Sequence, residues 1–111
     1  MNEGLDWIDF REPWMQCPDG LEAELRKEVS PAHVLFGVDA VSVARRTDND
    51  DVLFQLKDFD KRFAVVHLTW AGRADQDPQF PFTRFYDSVE SWVDGCMRTD
   101  SAEFATPSKV R

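Results

Sequence analysis

The segment Arg62–Trp70 is apolar on both of its faces, and any fold for this chain has to cover both. Strand alternation puts Ala64, Val66, Leu68 and Trp70 on one side and Phe63, Val65 and His67 on the other. Its β-branched and aromatic residues suit an extended, pleated backbone. A strand buried on both faces belongs inside a sheet with a layer above and a layer below.

Two further strands precede it. Val52–Lys57 alternates, with Val52, Phe54 and Leu56 on one side and Leu53, Gln55 and Lys57 on the other. Val38–Arg46 places Val41 and Val43 on one face and Ala40, Ser42 and Ala44 on the other. The gaps Thr47–Asp51 and Asp58–Lys61 are polar and of hairpin length, which predicts antiparallel pairing. In a plain meander the third strand would then be an edge, where a long apolar strand invites unwanted pairing. Either another segment pairs with it, Leu5–Phe10 or Val34–Phe36, or a second copy does, in a homodimer.

Two amphipathic helices flank these strands. Asp19–Val29 opens on a D-x-x-E pattern, carries Leu21, Leu25 and Val29 on one stripe, and stops at Ser30-Pro31. Asp87–Arg98 opens the same way and aligns Val89, Trp92, Val93, Cys96 and Met97 on its apolar face. Gly95 lies inside this helix, as a close approach to the sheet would favour. The expected class is α+β, an antiparallel three- to four-stranded meander flanked by two helices in the order α-β-β-β-α. Residues 1–100 make one domain, and 101–111 read as a flexible C-terminal tail.

The net charge of −8 arises from 21 acidic against 13 basic residues. Such a field repels phosphate backbones and anionic lipid, so neither nucleic acid nor a membrane surface is an expected partner. A basic protein would be steered toward it. Glu3, Asp6 and Asp9 leave no basic start for a signal peptide, and no apolar run reaches membrane-spanning length, so the expected location is the cytoplasm.

No catalytic or metal-binding set is legible, and no cofactor is expected. Cys17, His33, His67 and Cys96 lack the paired spacing that fixes zinc ligands locally. Asp48-Asn49-Asp50-Asp51 begins like a calcium loop, but Leu53 and Phe59 stand where that loop needs Gly and Glu. Gly-rich phosphate loops and nucleophile motifs are absent. His67 is the one imidazole near a strand end. A ligand or enzymatic site there would use His67, Trp70 and Arg73, and needs Arg45 or an Asp facing the ring.

The loop Ala71–Tyr86 is long for a compact domain and is bracketed by Arg73 and Arg84. Phe80, Pro81, Phe82, Phe85 and Tyr86 make its second half apolar. It reads as a recognition loop with aromatic and arginine anchors (Phe80, Phe82 and Arg84), or as a fold-back completing the core. Trp7, Phe10, Pro13 and Trp14 are expected to cover an open sheet face, or else to form an exposed patch for a partner.

The stretch Asp50–Met97 carries a D-D-V-L-F strand, an A-V-V-H-L-T-W-A-G strand end and a tryptophan-bearing final helix. In these it resembles a family of small uncharacterised bacterial proteins of about this length, a likeness that implies no activity. In layout the chain is also similar to bacterial immunity proteins, which bind a protein partner. The expected function is that of a non-enzymatic protein-binding or assembly domain, either homodimeric or paired with a basic protein. The alternative is the small-ligand or enzymatic site near His67.

Overall fold

A computed structural model describes residues 10, 12–16, 20–57, 59–74 and 76–104. Its elements are β1 (Trp14–Gln16), α1 (Glu22–Glu28), β2 (Asp39–Arg46), β3 (Asp51–Lys57), β4 (Phe63–His67), β5 (Phe82–Tyr86) and α2 (Val89–Trp92). A π-helical turn (Val93–Met97) and α3 (Arg98–Phe104) complete the chain. The strands form one antiparallel sheet in the order β1-β2-β3-β4-β5. The α+β class holds. The sheet has five strands among the described residues rather than three or four, and a strand precedes the first helix.

The two-faced strand is internal, as its composition demands. Ala64, Val66 and Leu68 join Val52, Phe54 and Leu56 in a core under Leu25 of α1 and Val29 at its C-cap, with Leu35 from the turn that follows. Phe63 and Val65 join Leu53 in a second core under Val89, Trp92, Val93, Cys96 and Met97. Helices therefore lie on both faces of the sheet, and each buries its predicted stripe.

The strand that pairs with β4 comes from neither predicted segment. It is β5, cut from the second half of the presumed 71–86 loop, with Val65 opposite Arg84 and His67 opposite Phe82. Phe-Thr-Arg-Phe-Tyr hides its strand character because Phe82 is exposed while Phe85 is half-buried, so no apolar–polar alternation shows. Val34 and Phe36 are exposed in a turn closed by Phe36 N–H donating to His33 O. Leu5 to Asp9 lie outside the described residues. Phe10 packs 6.2 Å from Trp92, and Trp14 meets the same ring edge-on at 5.1 Å.

A bulge alters the face assignment of β2. Ser42 pairs with Phe54 and Ala44 with Leu53, so Val43 is the extra residue. Val43 and Ala44 consequently enter the same core, although plain alternation sets them apart. The bulged backbone frees the Ser42 N–H to donate to Glu22 Oε2 at 2.8 Å, which ties α1 to β2. Glu22 Oε1 also accepts from Gly20 N–H, at 2.6 Å. Asp19, the predicted cap, lies outside the described residues.

The second helix begins one residue later than its D-x-x-E pattern suggests. Ser88 is the cap: its hydroxyl accepts from Ser91 N–H at 3.1 Å, and Ser91 Oγ accepts from Ser88 N–H at 3.3 Å. Asp87 instead pairs with Lys61 at the surface. A Cβ at Gly95 would sit 3.8 Å from the Tyr86 ring, an ordinary contact, so packing does not require glycine there.

The cap assignment has a direct thermodynamic test. Ser88→Ala is expected to cost about 1 kcal/mol of unfolding free energy, and Asp87→Ala less than about 0.5 kcal/mol because its ion pair is exposed. Urea titrations of the two variants measure both values.

Candidate functional site

The helix-covered face carrying Phe63 and Val65 emerges from cover at the end of the sheet where β3 begins and β4 ends. There the register lines up Asp51, His67 and Phe82 across three strands, with Leu53, Val65 and Arg84 in the next row. His67 Nδ1 lies 2.7 Å from Asp51 Oδ1. A carboxylate only accepts, so Nδ1 carries the hydrogen and Nε2 points elsewhere. Arg84 approaches the other oxygen, Oδ2, at 3.6 Å. The His67 and Arg84 side chains are 52% and 51% exposed, whereas that of Asp51 is only 13% exposed. Together with Val65 and Phe82 they line an open recess of about 400 Å³.

This arrangement gathers three of the six sequence-predicted site residues, His67, Phe82 and Arg84. Phe80 is exposed beside them, its ring 6.0 Å from that of Phe82. Trp70 and Arg73 do not line the recess, although both are exposed. Asp51 is the residue that sequence reasoning missed. It lies 16 positions from His67, and only the β3–β4 register brings the pair together.

Trp70 belongs to a different structure, a backbone turn held by carboxylates. Glu28 is 1% exposed, and its two oxygens accept from Thr69 N–H at 2.8 Å and Trp70 N–H at 2.7 Å. Glu24, one helical turn earlier on α1, accepts from Gly72 N–H at 3.0 Å. Trp70 itself is left-handed, with φ +61°, a strained conformation for a bulky side chain. Its two carboxylate-bonded neighbours and its own clamped N–H hold it there. Burial, and then the hydrogen bond with Glu24, push the Glu28 carboxyl above its ordinary value. That same hydrogen bond, with the Gly72 N–H, holds Glu24 below its own. Of the two carboxyls, Glu28 is the one whose protonated form the surroundings favour.

Two other titratable side chains are structural. The buried His33 accepts from Leu35 N–H at Nδ1 and donates from Nε2 to Pro81 O, each at 2.9 Å, linking the turn after α1 to the residue before β5. Cys96 is buried beside Asp100, and Asp100 Oδ2 also accepts from Trp14 Nε1 at 2.8 Å and pairs with Arg46 at 3.2 Å. Burial, reinforced by the Asp100 charge, pushes the Cys96 thiol up to about 11. Cys17 lies outside the described residues. Arg46 also grips Asp48 through two 2.8 Å hydrogen bonds, which commits the first carboxylate of the calcium-like loop. Among the described residues no group of three or more His, Cys, Asp or Glu is placed to hold a metal ion, and no helix is long and apolar enough to cross a membrane.

Comparison with protein-family models, with curated proteins and with solved structures finds no significant match to this chain.

The Glu24–Glu28 pair predicts a pH dependence of a definite sign. A carboxyl raised in the folded state contributes stability that is full below the unfolded value, about 4.5, and is lost as pH rises through the folded value. Glu24→Gln removes one charge of the pair and supplies an amide donor to Glu28. It should therefore shrink the loss of stability as pH rises above the unfolded value of about 4.5, measured by urea unfolding, relative to the parent chain. The environment of Cys96 predicts inertness: in a Cys17→Ser background, the remaining thiol should react with Ellman's reagent only at the rate of unfolding.

Proposed function

We propose that this domain binds an extended, basic segment of another protein, which adds as a strand to the outer edge of β5. The observation that carries this reading is the edge itself. Among the described residues β5 is the last strand of the sheet, five residues long, with Phe82 and Arg84 exposed and Phe80 just ahead of them. Natural edges are usually blunted by shortness, proline, lysine or a bulge. The opposite edge, β1, has three residues. β5 has none of these devices within Phe82–Tyr86.

An incoming strand would gain main-chain hydrogen bonds from this edge, and its side chains would meet the Phe80–Phe82 ring pair. Exposed Trp70 stands at the same end of the sheet, since it follows β4 where Phe80 precedes β5. Aromatic and arginine anchors of this kind supply most of the energy at protein interfaces. Charge selects the occupant. A chain of net charge −8 repels a second copy of itself and attracts a basic segment, whose cations can also lie over the two phenylalanine rings.

A photo-crosslinking phenylalanine analogue at position 82, introduced in the source cells, tests this directly. Mass spectrometry of the adduct is expected to return an extended, Lys/Arg-containing segment of a different protein, and Phe82→Lys should lower retention of that protein by at least about tenfold. A crosslink to a second copy of this chain would make the site a homodimer edge instead. No adduct at position 82, or as much at exposed Met15 on β1, would refute the proposal.

A further inference from the structure

We infer that the recess between His67 and Arg84 is a binding site for a small organic carboxylate with a flat apolar body. Strand addition uses the backbone edge of β5, whereas this site uses side chains on one sheet face; Phe82 and Arg84 serve both readings, and the benzoate–benzamide comparison tests this one alone.

Asp51 and His67 satisfy one another, but Arg84 does not complete the set, which leaves room for one more anion. Asp51 Oδ1 accepts from His67 Nδ1–H, and at 3.6 Å its second oxygen is beyond hydrogen-bond reach of Arg84. The guanidinium offers five N–H donors in a planar fork, and none finds a hydrogen-bond acceptor among the described residues. The other cation near Asp51, Arg46, is committed to Asp48 and Asp100. Arg84 is thus held in place by a single loose ion pair with its fork open.

The His67 ring supplies the second contact. With Nδ1 donating to Asp51, the imidazole is oriented and Nε2 is left for a ligand. When Nε2 bears a proton, an anion lying on Arg84 can accept from it as well. The charge of Arg84, His67 and Asp51 then sums to one positive, which one carboxylate neutralises. A carboxylate matches the guanidinium fork through two parallel hydrogen bonds. Phe82, whose ring is more than half exposed, and Val65 supply the apolar part of the lining. A recess of about 400 Å³ accommodates a ring-sized acid and lies within the range of small-molecule sites.

The surrounding field sharpens the inference. A chain of net charge −8 gathers no diffuse cloud of anions, so saturable anion binding reports a built site.

Sodium benzoate, benzamide and inorganic phosphate are the probes, titrated into the intact chain at constant ionic strength. The His67 ring and Arg84 Nε–H resonances are followed by NMR. Benzoate should shift both saturably with a dissociation constant on the order of 1 mM, as expected for so small a ligand. Benzamide, of the same shape without charge, should bind at least about tenfold more weakly, the effect of one charged hydrogen bond. Arg84→Gln should weaken benzoate by the same factor, with Arg73→Gln as the control that leaves it unchanged.

Several outcomes would overturn the inference. Shifts linear in benzoate would mean no site, and equal binding of benzamide would reduce the recess to an apolar dimple. Phosphate binding as tightly as benzoate would remove the apolar component. Unchanged affinity in Arg84→Gln would exclude the guanidinium. The benzoate–benzamide comparison uses only the unmodified chain, so it decides the matter even if a variant misfolds.

Discussion

Covering β4 on both faces and both edges is the constraint that organises this molecule. Its alternating residues feed two separate cores, one under α1 and one under the C-terminal helices. α1, of seven residues, is too short to be stable alone and depends on the sheet for its burial. The sheet in turn must be wide enough to keep β4 off its edge. That requirement recruits Phe82–Tyr86 as a strand and moves the exposed edge outward to a segment with a different surface chemistry. The apolar problem posed by β4 is solved, while its aromatic cover remains partly exposed.

The acidic side chains do more than set a field. Glu22, Glu24 and Glu28 all project from α1, and all three accept backbone N–H groups from elsewhere: Gly20 and Ser42, Gly72, and Thr69 with Trp70. In each case the carboxyl group sits where a turn or bulge leaves an amide without a ladder partner. Burial alone would raise the Glu22 carboxyl, yet the Ser42 and Gly20 amides together hold it below its ordinary value. A short helix thereby fastens the bulge in β2 and the exit from β4, so a share of the −8 charge is structural.

Much of this was legible in the sequence. Alternation identified β2, β3 and β4, and a 3.6-residue stripe identified both helices, because burial on one face leaves a period in the chain. β5 was not legible, since its faces are exposed and half-buried in a mixed order. Nothing local in the sequence marks Glu28 as a carboxylate that is buried to hold amides more than forty residues away. His67 could be singled out as a lone imidazole, and Phe82 and Arg84 as anchors. Their assembly with Asp51 could not, because it depends on the register of two hairpins. Elements leave local periodicity, whereas sites of this kind are made by registration between elements.

The π turn at Val93–Met97 shows the same dependence within a single helix. Such a turn takes in one residue more than an α turn, and each residue of a helix advances its face by about 100°. The residues before it set Val89 and Trp92 onto the sheet; those after it bring Asp100 to Trp14 and Arg46. An unbroken α-helix over the same residues would carry the Asp100 carboxylate about a quarter-turn out of phase with the indole and guanidinium that meet it. The irregular turn works as a phase adjuster: it spends local regularity so that the two ends of one helix can answer to two different neighbours.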